Sequence, residues 1–310
     1  MSARPPPRDV RRHRFDDVDE PFDLTLSTSA LAGFRHDALV PNGPEPDGDT
    51  DHDPGSTWSS HADADARGPE PHPGWLITDG EAVDHDRGVL KTGKEADVHL
   101  IERVDPDGRA CLLAAKRYRD GAHRLFHRDA GYLEGRRVRR SREMRAMTTR
   151  TTFGKQLIAG QWAIAEFAML TRLWSADVAV PYPVQMSGGE LLLEFVGDED
   201  GTAAPRLAQC RPERRELLSL WDQCRTALRS LAIEGYAHGD LSPYNLLVHH
   251  GRLVMIDLPQ AVDLVANPQA AHFLRRDCDN ITAWFRARGI GDADPAVLER
   301  DLRRVLPGPS

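Results

Sequence analysis

The sequence predicts an α+β protein in which a strand-rich part of the chain is followed by a helical part. Two observations lead to this prediction. Between residues 88 and 118, apolar side chains alternate in the way typical of β-strands, on both sides of the turn sequence Asp105-Pro-Asp-Gly108. From residue 213 onward, apolar residues recur mostly at helical spacing. Elements that are segregated in this way form separate lobes, so we expect a strand-rich N-lobe and a helical C-lobe.

Residues 1–74 are predicted to be a disordered, acidic, proline-rich tail that precedes both lobes. They carry 11 of the 22 prolines, and residues 1–70 hold 15 Asp or Glu against 7 Lys or Arg, which by itself gives −8, the formal net charge of the chain. A segment with so few apolar residues cannot offset the entropy lost on ordering it. The rest of the 310 residues is enough for one domain of two lobes, residues 75–196 and 197–310.

The elements of the N-lobe follow from local patterns. A strand ends at Ile101, and Ala110–Tyr118 returns beside it as the second strand of a hairpin. A basic insertion near residues 119–157 has no clear pattern, and Ile158–Trp174 then has the apolar spacing of a helix. Two short strands around Ser187-Gly-Gly189 form a second hairpin.

The C-lobe is predicted to contain three helices and two short strands, each identified by its periodicity. The helices are Glu213–Glu234, Ala270–Arg288 and Pro295–Val305, and the strands are Leu246–Val248 and Leu253–Ile256.

The composition argues against several classes of protein. The sequence contains no run of 18 apolar residues, so we expect no transmembrane helix and no membrane partner. Its N-terminus lacks the apolar core of a secretory signal, which predicts a cytoplasmic location. The four cysteines form no Cys-x-x-Cys pair, so we expect reduced thiols rather than disulfides or structural zinc.

The residues suited to catalysis are concentrated in two stretches of the C-lobe. His238-Gly-Asp-Leu-Ser-Pro-Tyr-Asn245 is followed by Val254-Met-Ile-Asp257. Phosphoryl transfer needs one carboxylate to orient the nucleophile, while an amide and a second carboxylate hold magnesium on the ATP phosphates. Asp240 fits the first role, and Asn245 and Asp257 fit the second. The histidine that opens the first stretch is expected to have a structural role, hydrogen-bonded to the backbone.

A lysine and a glutamate are predicted to pair in the N-lobe. Lys116 follows Leu-Leu-Ala-Ala on a predicted strand, where a kinase lysine contacts the nucleotide phosphates and a helix glutamate. Glu166 lies on the apolar stripe of the predicted helix, beside Trp162 and Met169. A glutamate on such a stripe needs a buried partner, and Lys116 is the simplest candidate.

The stretch from Gly88 to Glu95 nearly matches a Walker A phosphate-binding loop. It lacks the Ser or Thr that contacts magnesium, and a strand follows it instead of a helix, which argues against an NTPase of that class. It is still suited to cover phosphates between two strands, with Thr92, Gly93 and Lys94 near the nucleotide.

Residues 116–155 are strongly basic, with 13 Lys or Arg against 4 Asp or Glu. Two interpretations stay open: a solvated loop, or a surface that binds nucleic acid or an acidic partner. The near-neutral remainder of the folded part and the lack of interleaved aromatic residues argue against a dedicated nucleic-acid binder.

Several stretches between residues 85 and 290 resemble, in the right order, the RIO family of atypical serine/threonine protein kinases. They are Thr92-Gly-Lys-Glu-Ala-Asp-Val98, Ala115-Lys116, Trp162-Ala-x-x-Glu166, Glu194-Phe-Val-Gly-Asp-Glu-Asp200, His238-Gly-Asp-Leu-Ser242 with Asn245, Ile256-Asp257-x-x-Gln260 and Phe273-Leu-Arg-Arg-Asp-Cys278. The resemblance implies a two-lobed, protein-kinase-like fold that binds ATP with Mg²⁺, or with Mn²⁺ in its place.

The resemblance also implies a role for each stretch. In chain order, these are the phosphate-covering loop from Thr92 to Val98, the phosphate-positioning pair Lys116 and Glu166, the adenine hinge from Glu194 to Val196, the catalytic Asp240, and the metal ligands Asn245 and Asp257. Only 53 residues follow Asp257, and they contain no Asp-Phe-Gly or Ala-Pro-Glu motif. We therefore expect a reduced C-lobe without an activation loop.

For function, the resemblance implies phosphoryl transfer from ATP to a protein serine or threonine, autophosphorylation, or ATPase activity through an aspartyl phosphate. It also implies a ribosomal or RNA–protein particle as a partner, with residues 117–155 as the candidate surface, while the protein substrate stays unknown. Two alternatives remain open. One is a small-molecule phosphotransferase similar to aminoglycoside or choline kinases, and the other is an ATP-binding scaffold that acts on ribonucleoprotein particles without catalysis.

Overall fold

The computed structural model describes residues 56–93, 96–118, 152–259 and 261–307. Its N-lobe is built on seven strands: β1 (Ser56–Trp58), β2 (Ala66–Arg67), β3 (Val83–Thr92), β4 (Ala96–Val104), β5 (Ala110–Tyr118), β6 (Pro183–Ser187) and β7 (Glu190–Glu194). Across the sheet they lie in the order β1-β3-β4-β5-β7-β6-β2, and every neighbouring pair is antiparallel. The predicted strand-rich N-lobe is confirmed.

The strand predicted to end at Ile101 is β4, and β3 precedes it, which agrees with the predicted loop between two strands. They are separated by residues 93–95, and the Gly93 N–H donates to the Ala96 carbonyl at 2.9 Å, which closes the turn. The returning strand β5 has the predicted bounds, Ala110–Tyr118.

One long helix, α1 (Thr152–Ser175), packs against β5, β6 and β7. It begins six residues before the predicted start at Ile158. Leu170 and Leu173 are buried on its inner side. Residues 119–151, most of the predicted basic insertion, lie outside the described residues.

Among its described residues, the C-lobe contains three α-helices and two pairs of short antiparallel strands. They are α2 (Arg214–Ile233), β8 (Tyr236–Ala237), β9 (Leu246–His249), β10 (Arg252–Met255), β11 (Val262–Asp263), α3 (Ala270–Arg286) and α4 (Pro295–Arg303). β9 pairs with β10, and β8 pairs with β11. The helices and the β9–β10 hairpin end within two residues of the predicted bounds. β8 and β11 are missing from the prediction because two residues have no measurable periodicity.

The predicted boundary of the disordered tail, at residue 74, is wrong. β1 and β2 lie inside that segment, and they pair with β3 and β6. The segment is held by polar contacts: the Ser59 N–H donates to the Ala82 carbonyl at 2.8 Å, and buried His61 Nδ1 lies 3.2 Å from Gln185 Oε1. Hydrogen bonds to the rest of the sheet order these residues. Their polar composition alone therefore could not predict that they are ordered.

A charged pair is buried inside the N-lobe. Arg103 on β4 has no exposed side-chain surface, and its Nε and Nη2 donate to Asp84 Oδ1 and Oδ2 at 2.7 and 2.8 Å. The guanidinium also donates to Gln185 Oε1 and to the Ile77 carbonyl. A buried arginine is tolerated when it forms a bidentate pair with a carboxylate and its remaining donors also have hydrogen-bond acceptors.

Side chains of α1 pack into the apolar interiors of both lobes. Phe167 and Leu170 of α1 belong to the large cluster that contains the C-lobe helices, and Trp174 packs against both this cluster and the smaller one inside the N-lobe sheet. The four cysteines are free thiols, as predicted. Among the helices of the described residues, none has the length and hydrophobicity needed to cross a bilayer.

Candidate active site

The predicted pair of Lys116 and Glu166 forms between β5 and α1. Lys116 Nζ donates to Glu166 Oε1 at 2.7 Å, and the two residues are only 8% and 2% exposed. The Tyr118 hydroxyl donates to the other carboxylate oxygen. Burial lowers the pKa of Lys116, but the carboxylates of Glu166 and Asp257 outweigh burial, so the pKa is raised overall. The lysine therefore stays charged at neutral pH.

Asp257 connects this pair to the C-lobe. Its Oδ1 lies 3.5 Å from Lys116 Nζ, and its Oδ2 lies 3.9 Å from the Nζ of Lys91 on β3. Burial favours the protonated carboxyl, yet Lys116, Lys91 and Arg206 prevail and lower the pKa of Asp257. Its backbone adopts φ +61°, in the left-handed region that few non-glycine residues occupy. Lys91 is a site residue that the sequence interpretation missed, since nothing distinguishes it from a surface lysine.

The predicted catalytic loop is held by backbone hydrogen bonds. Asn245 Nδ2 donates to the Asp240 carbonyl at 2.8 Å, and the Ile256 N–H donates to the Asn245 carbonyl at 2.9 Å. His238 is fully buried, with Nε2 3.0 Å from the Ile256 carbonyl, which confirms its predicted structural role. These bonds bring Asp240 and Asn245 beside the strand end that carries Asp257.

Two residues of α3 hold the predicted catalytic loop by hydrogen bonds to its backbone. The sequence interpretation assigned these two residues no role. Buried Asp277 accepts the N–H groups of Gly239 and Leu241 at 2.8 and 2.9 Å. Arg276 donates to the Gly239 carbonyl, and its Nη2 lies 3.6 Å from Asp240 Oδ1. Burial raises the pKa of Asp277, although nearby His238 and these hydrogen bonds act in the opposite direction. The available signal was Asp277, a carboxylate on the apolar stripe of this helix between Leu274 and Ile281.

The predicted phosphate-covering loop lies at the turn from β3 to β4. Thr92 ends β3, and a Cβ atom at Gly93 would lie 2.8 Å from the Ala96 carbonyl oxygen, so the close turn excludes a side chain. In the sheet Val98 is the partner of Lys91 on one side and of Lys116 on the other. Lys94 lies outside the described residues, as does Gln260 of the stretch after Asp257.

The predicted adenine hinge is held by hydrogen bonds to both lobes. Glu194 Oε2 accepts the Tyr182 N–H at 3.0 Å, and the Val196 carbonyl accepts the Ala204 N–H at 2.9 Å. Burial raises the pKa of Glu194, against the effect of the hydrogen bond from Tyr182. The carboxylate of Glu194 is thus already engaged with the Tyr182 backbone.

A buried lysine–glutamate pair under a strand-rich lobe, joined to an Asp-Asn-Asp set on the loops of a small helical lobe, defines a protein-kinase-like phosphotransferase. The sequence model of the RIO domain matches residues 113–298, more than half of the chain. The chain belongs to the RIO family, and its function is that of a RIO-type kinase.

Named relatives come from archaea and eukaryotes. The RIO-type serine/threonine-protein kinase Rio1 of Haloferax volcanii is 39% identical over 220 residues, which cover 71% of this chain and 69% of that protein. Serine/threonine-protein kinase RIO1 of Caenorhabditis elegans is 30% identical over 72% of this chain and 40% of its own length. For RIO1 of Saccharomyces cerevisiae the values are 28%, 69% and 46%. The match therefore spans less than half of these two eukaryotic relatives.

Proposed function

We propose that this RIO-type kinase transfers the γ-phosphoryl group of ATP to a serine or threonine hydroxyl of a protein, with the help of Mg²⁺. The observation that carries the proposal is the position of Lys116, whose Nζ contacts the carboxylates of both Glu166 and Asp257. This contact joins the proposed phosphate-positioning pair of one lobe to a proposed metal ligand of the other. A lysine held there in its charged form is ready to bind phosphate oxygens.

The proposed metal ligands have the chemistry that Mg²⁺ requires. Asp257 offers a carboxylate that is 38% exposed, and Asn245 offers its carboxamide oxygen because its Nδ2 is already a donor. Oxygen ligands of this kind suit Mg²⁺, or Mn²⁺ in its place. When bound, the cation neutralises the charge that develops on the phosphate oxygens.

Asp240 is proposed to orient the attacking hydroxyl. Its side chain is 61% exposed, so a protein substrate can approach it, while Asn245 and α3 fix its main chain. A carboxylate in this position accepts a hydrogen bond from the hydroxyl and takes up its proton as the new P–O bond forms and the bond from the γ-phosphorus to ADP breaks. Lys116 meanwhile offsets the negative charge on the transferred phosphoryl group.

Asp257 itself is a second candidate acceptor, because its Oδ1 lies 3.5 Å from the lysine that is proposed to hold the phosphates. In this reaction a carboxylate oxygen bonds to the γ-phosphorus while the bond to ADP breaks. Water then cleaves the aspartyl phosphate, and the net reaction is ATP hydrolysis. The same residues serve both reactions, so only the chemistry of the product separates them.

A cytoplasmic location and binding of an RNA–protein particle through residues 117–155 rest on composition and family resemblance alone. A small-molecule acceptor and a purely scaffolding role likewise stay alternatives. Most of the basic segment, residues 119–151, lies outside the described residues.

The test is to incubate the full chain with Mg²⁺ and γ-labelled ATP and to measure the chemical stability of any covalent label. A label stable in acid, located on Ser or Thr and lost in Asp240→Asn, is the result expected for a protein kinase. A base-labile label lost in Asp257→Asn would instead identify the aspartyl phosphate.

Asp292→Asn is the matched control, because Asp292 is an exposed aspartate in the loop after α3. This variant should be labelled as the wild type is. The absence of both label and ATP turnover in the wild type would contradict the proposal. Turnover that appears only after a small acceptor is added would favour the small-molecule phosphotransferase.

A further inference from the structure

A second group of possible metal ligands lies outside the proposed active site. Asp198 follows the hinge segment by two residues, while His249 ends β9 and His250 begins the turn into β10. The Nε2 atoms of His249 and His250 lie 3.2 and 3.4 Å from the same atom, Asp198 Oδ1. Their ring centroids are 4.0 Å apart. Two imidazole nitrogens and a carboxylate oxygen therefore converge, all within 4.8 Å of one another.

These distances fit the coordination geometry of zinc. Tetrahedral Zn²⁺ with bonds of about 2.0–2.1 Å separates neighbouring ligand atoms by roughly 3.3 Å. The separations of 3.2 and 3.4 Å bracket this value. The third separation, between the two imidazole nitrogens, is at most 4.8 Å.

We propose that Asp198, His249 and His250 together bind one divalent transition-metal ion, with Zn²⁺ as the best fit and water as the fourth ligand. Imidazole nitrogens favour Zn²⁺, Cu²⁺ and Ni²⁺ over Mg²⁺, so this site differs in chemistry from the oxygen ligands proposed to serve ATP. The side chains of Asp198 and His250 are 53% and 77% exposed, which leaves one coordination position open to solvent. The proposal does not depend on the reaction that the active site performs.

The ion would connect two segments that matter for the active site. Asp198 belongs to the segment that leads from the N-lobe into the C-lobe, and the histidines lie at the tip of the β9–β10 hairpin. The other end of that hairpin leads to Asn245 and Asp257. A cavity of about 710 Å³, lined in part by Asp198 and His249, gives solvent access to this side of the hinge. A bound ion restrains the hinge relative to the strands that carry the proposed metal ligands.

The experiment titrates Zn²⁺ into the chelator-treated full chain by isothermal calorimetry, without ATP or Mg²⁺. We expect one strong site whose affinity falls at least tenfold in His249→Gln and in Asp198→Asn. His272→Gln is the matched control, because His272 is an exposed histidine on α3, and it should bind as the wild type does. The chain holds 13 histidines, so the difference between variants is the informative quantity.

A second measurement follows the same site without calorimetry. Co²⁺ in place of Zn²⁺ should give the intense visible absorption of a tetrahedral ion in the wild type and in His272→Gln, but not in His249→Gln. Hydrogen exchange of the β9–β10 hairpin should slow on addition of Zn²⁺ in the same two proteins. Equal Zn²⁺ affinity in all four proteins, or no binding by the wild type, would overturn the proposal. Circular dichroism confirms that each variant is folded.

Discussion

The guanidinium of Arg103 is charged and fully buried, and the carboxylate of Asp84 is the group that compensates its charge. Truncation of Asp84 to alanine leaves that charge uncompensated, so we expect the free energy of unfolding to fall by about 3–5 kcal/mol. Replacing both residues, as Asp84→Leu with Arg103→Met, should cost much less because no charge is then buried. Urea denaturation of the three proteins measures these differences.

Arg87→Ala serves as the control for this experiment. Its partner is Glu102 and its own side chain is 55% exposed, so its loss should change stability by no more than about 1 kcal/mol. An Asp84→Ala variant as stable as Arg87→Ala would show that the buried pair does not stabilise the sheet.

Glu194 should make stability depend on pH, because burial raises the pKa of its carboxyl. A group with a raised folded pKa contributes stability below its unfolded pKa and loses that contribution as pH rises through the folded pKa. Glu194→Gln keeps an acceptor for the Tyr182 N–H but cannot ionise. We expect it to match the wild type near pH 4 and to be more stable near pH 7, as measured by urea denaturation at both pH values.

Glu81→Gln, at an exposed position, is the control and should show no such pH-dependent gain. If Glu194→Gln is less stable than the wild type at neutral pH, the carboxylate is stabilised by its surroundings rather than penalised by burial.

Individual site residues could be predicted where their chemistry conflicts with their surroundings. Glu166 is a charge on an apolar stripe, which pointed correctly to Lys116 as its partner. Lys91 has no such conflict, and its approach to Asp257 exists only in the folded protein because the two residues lie far apart in the sequence. Arg103 and Asp84 lie 19 residues apart, and the register that pairs them exists only in the folded sheet.

At the scale of elements, α3 acts as the support of the catalytic loop. Asp277→Ala removes the acceptor of two buried N–H groups, those of Gly239 and Leu241. We expect the free energy of unfolding to fall by roughly 2–6 kcal/mol, since each of the two unsatisfied groups costs about 1–3 kcal/mol. The rate of phosphoryl transfer should fall more than the affinity for ATP, because the change displaces Asp240 rather than Lys116. Urea denaturation and a kcat-against-KM comparison measure the two effects.

Asp279→Ala, on the same helix with its side chain 52% exposed, is the matched control and should change neither quantity appreciably. Equal losses in kcat and in ATP affinity for Asp277→Ala would argue against a specific role for α3 in positioning the loop.

Elements whose faces are amphipathic could be predicted to within two residues, as α2, α3 and α4 demonstrate. Their signal is local, because each helix buries one stripe of its own side chains. β1, β2, β8 and β11 have two or three residues each, and their pairing partners supply the order. No local pattern could have revealed them, which is why the predicted tail extends too far.

For the whole molecule, the edge strands β1 and β2 connect residues 56–74 to the sheet. Removal of residues 1–55 should leave the melting temperature nearly unchanged. Removal of residues 1–74 also deletes β1, β2 and the contact of His61 with Gln185, so we expect a decrease of about 4 °C or more. Thermal unfolding followed by circular dichroism makes this comparison. Equal melting temperatures for the two truncations would contradict a structural role for residues 56–74.

Lys91 and Lys116 of the N-lobe contact Asp257 of the C-lobe. These internal ion pairs can be exchanged for ion pairs with bound ligands. With Glu166, these four side chains sum to zero charge, so each lysine charge is balanced by a carboxylate within the group. On the proposed function, phosphates that attract the two lysines would release the carboxylate for a cation, and a cation at the carboxylate would release the lysines for phosphates. Each ligand thereby strengthens binding of the other, and by thermodynamic linkage the two affinities rise by the same factor.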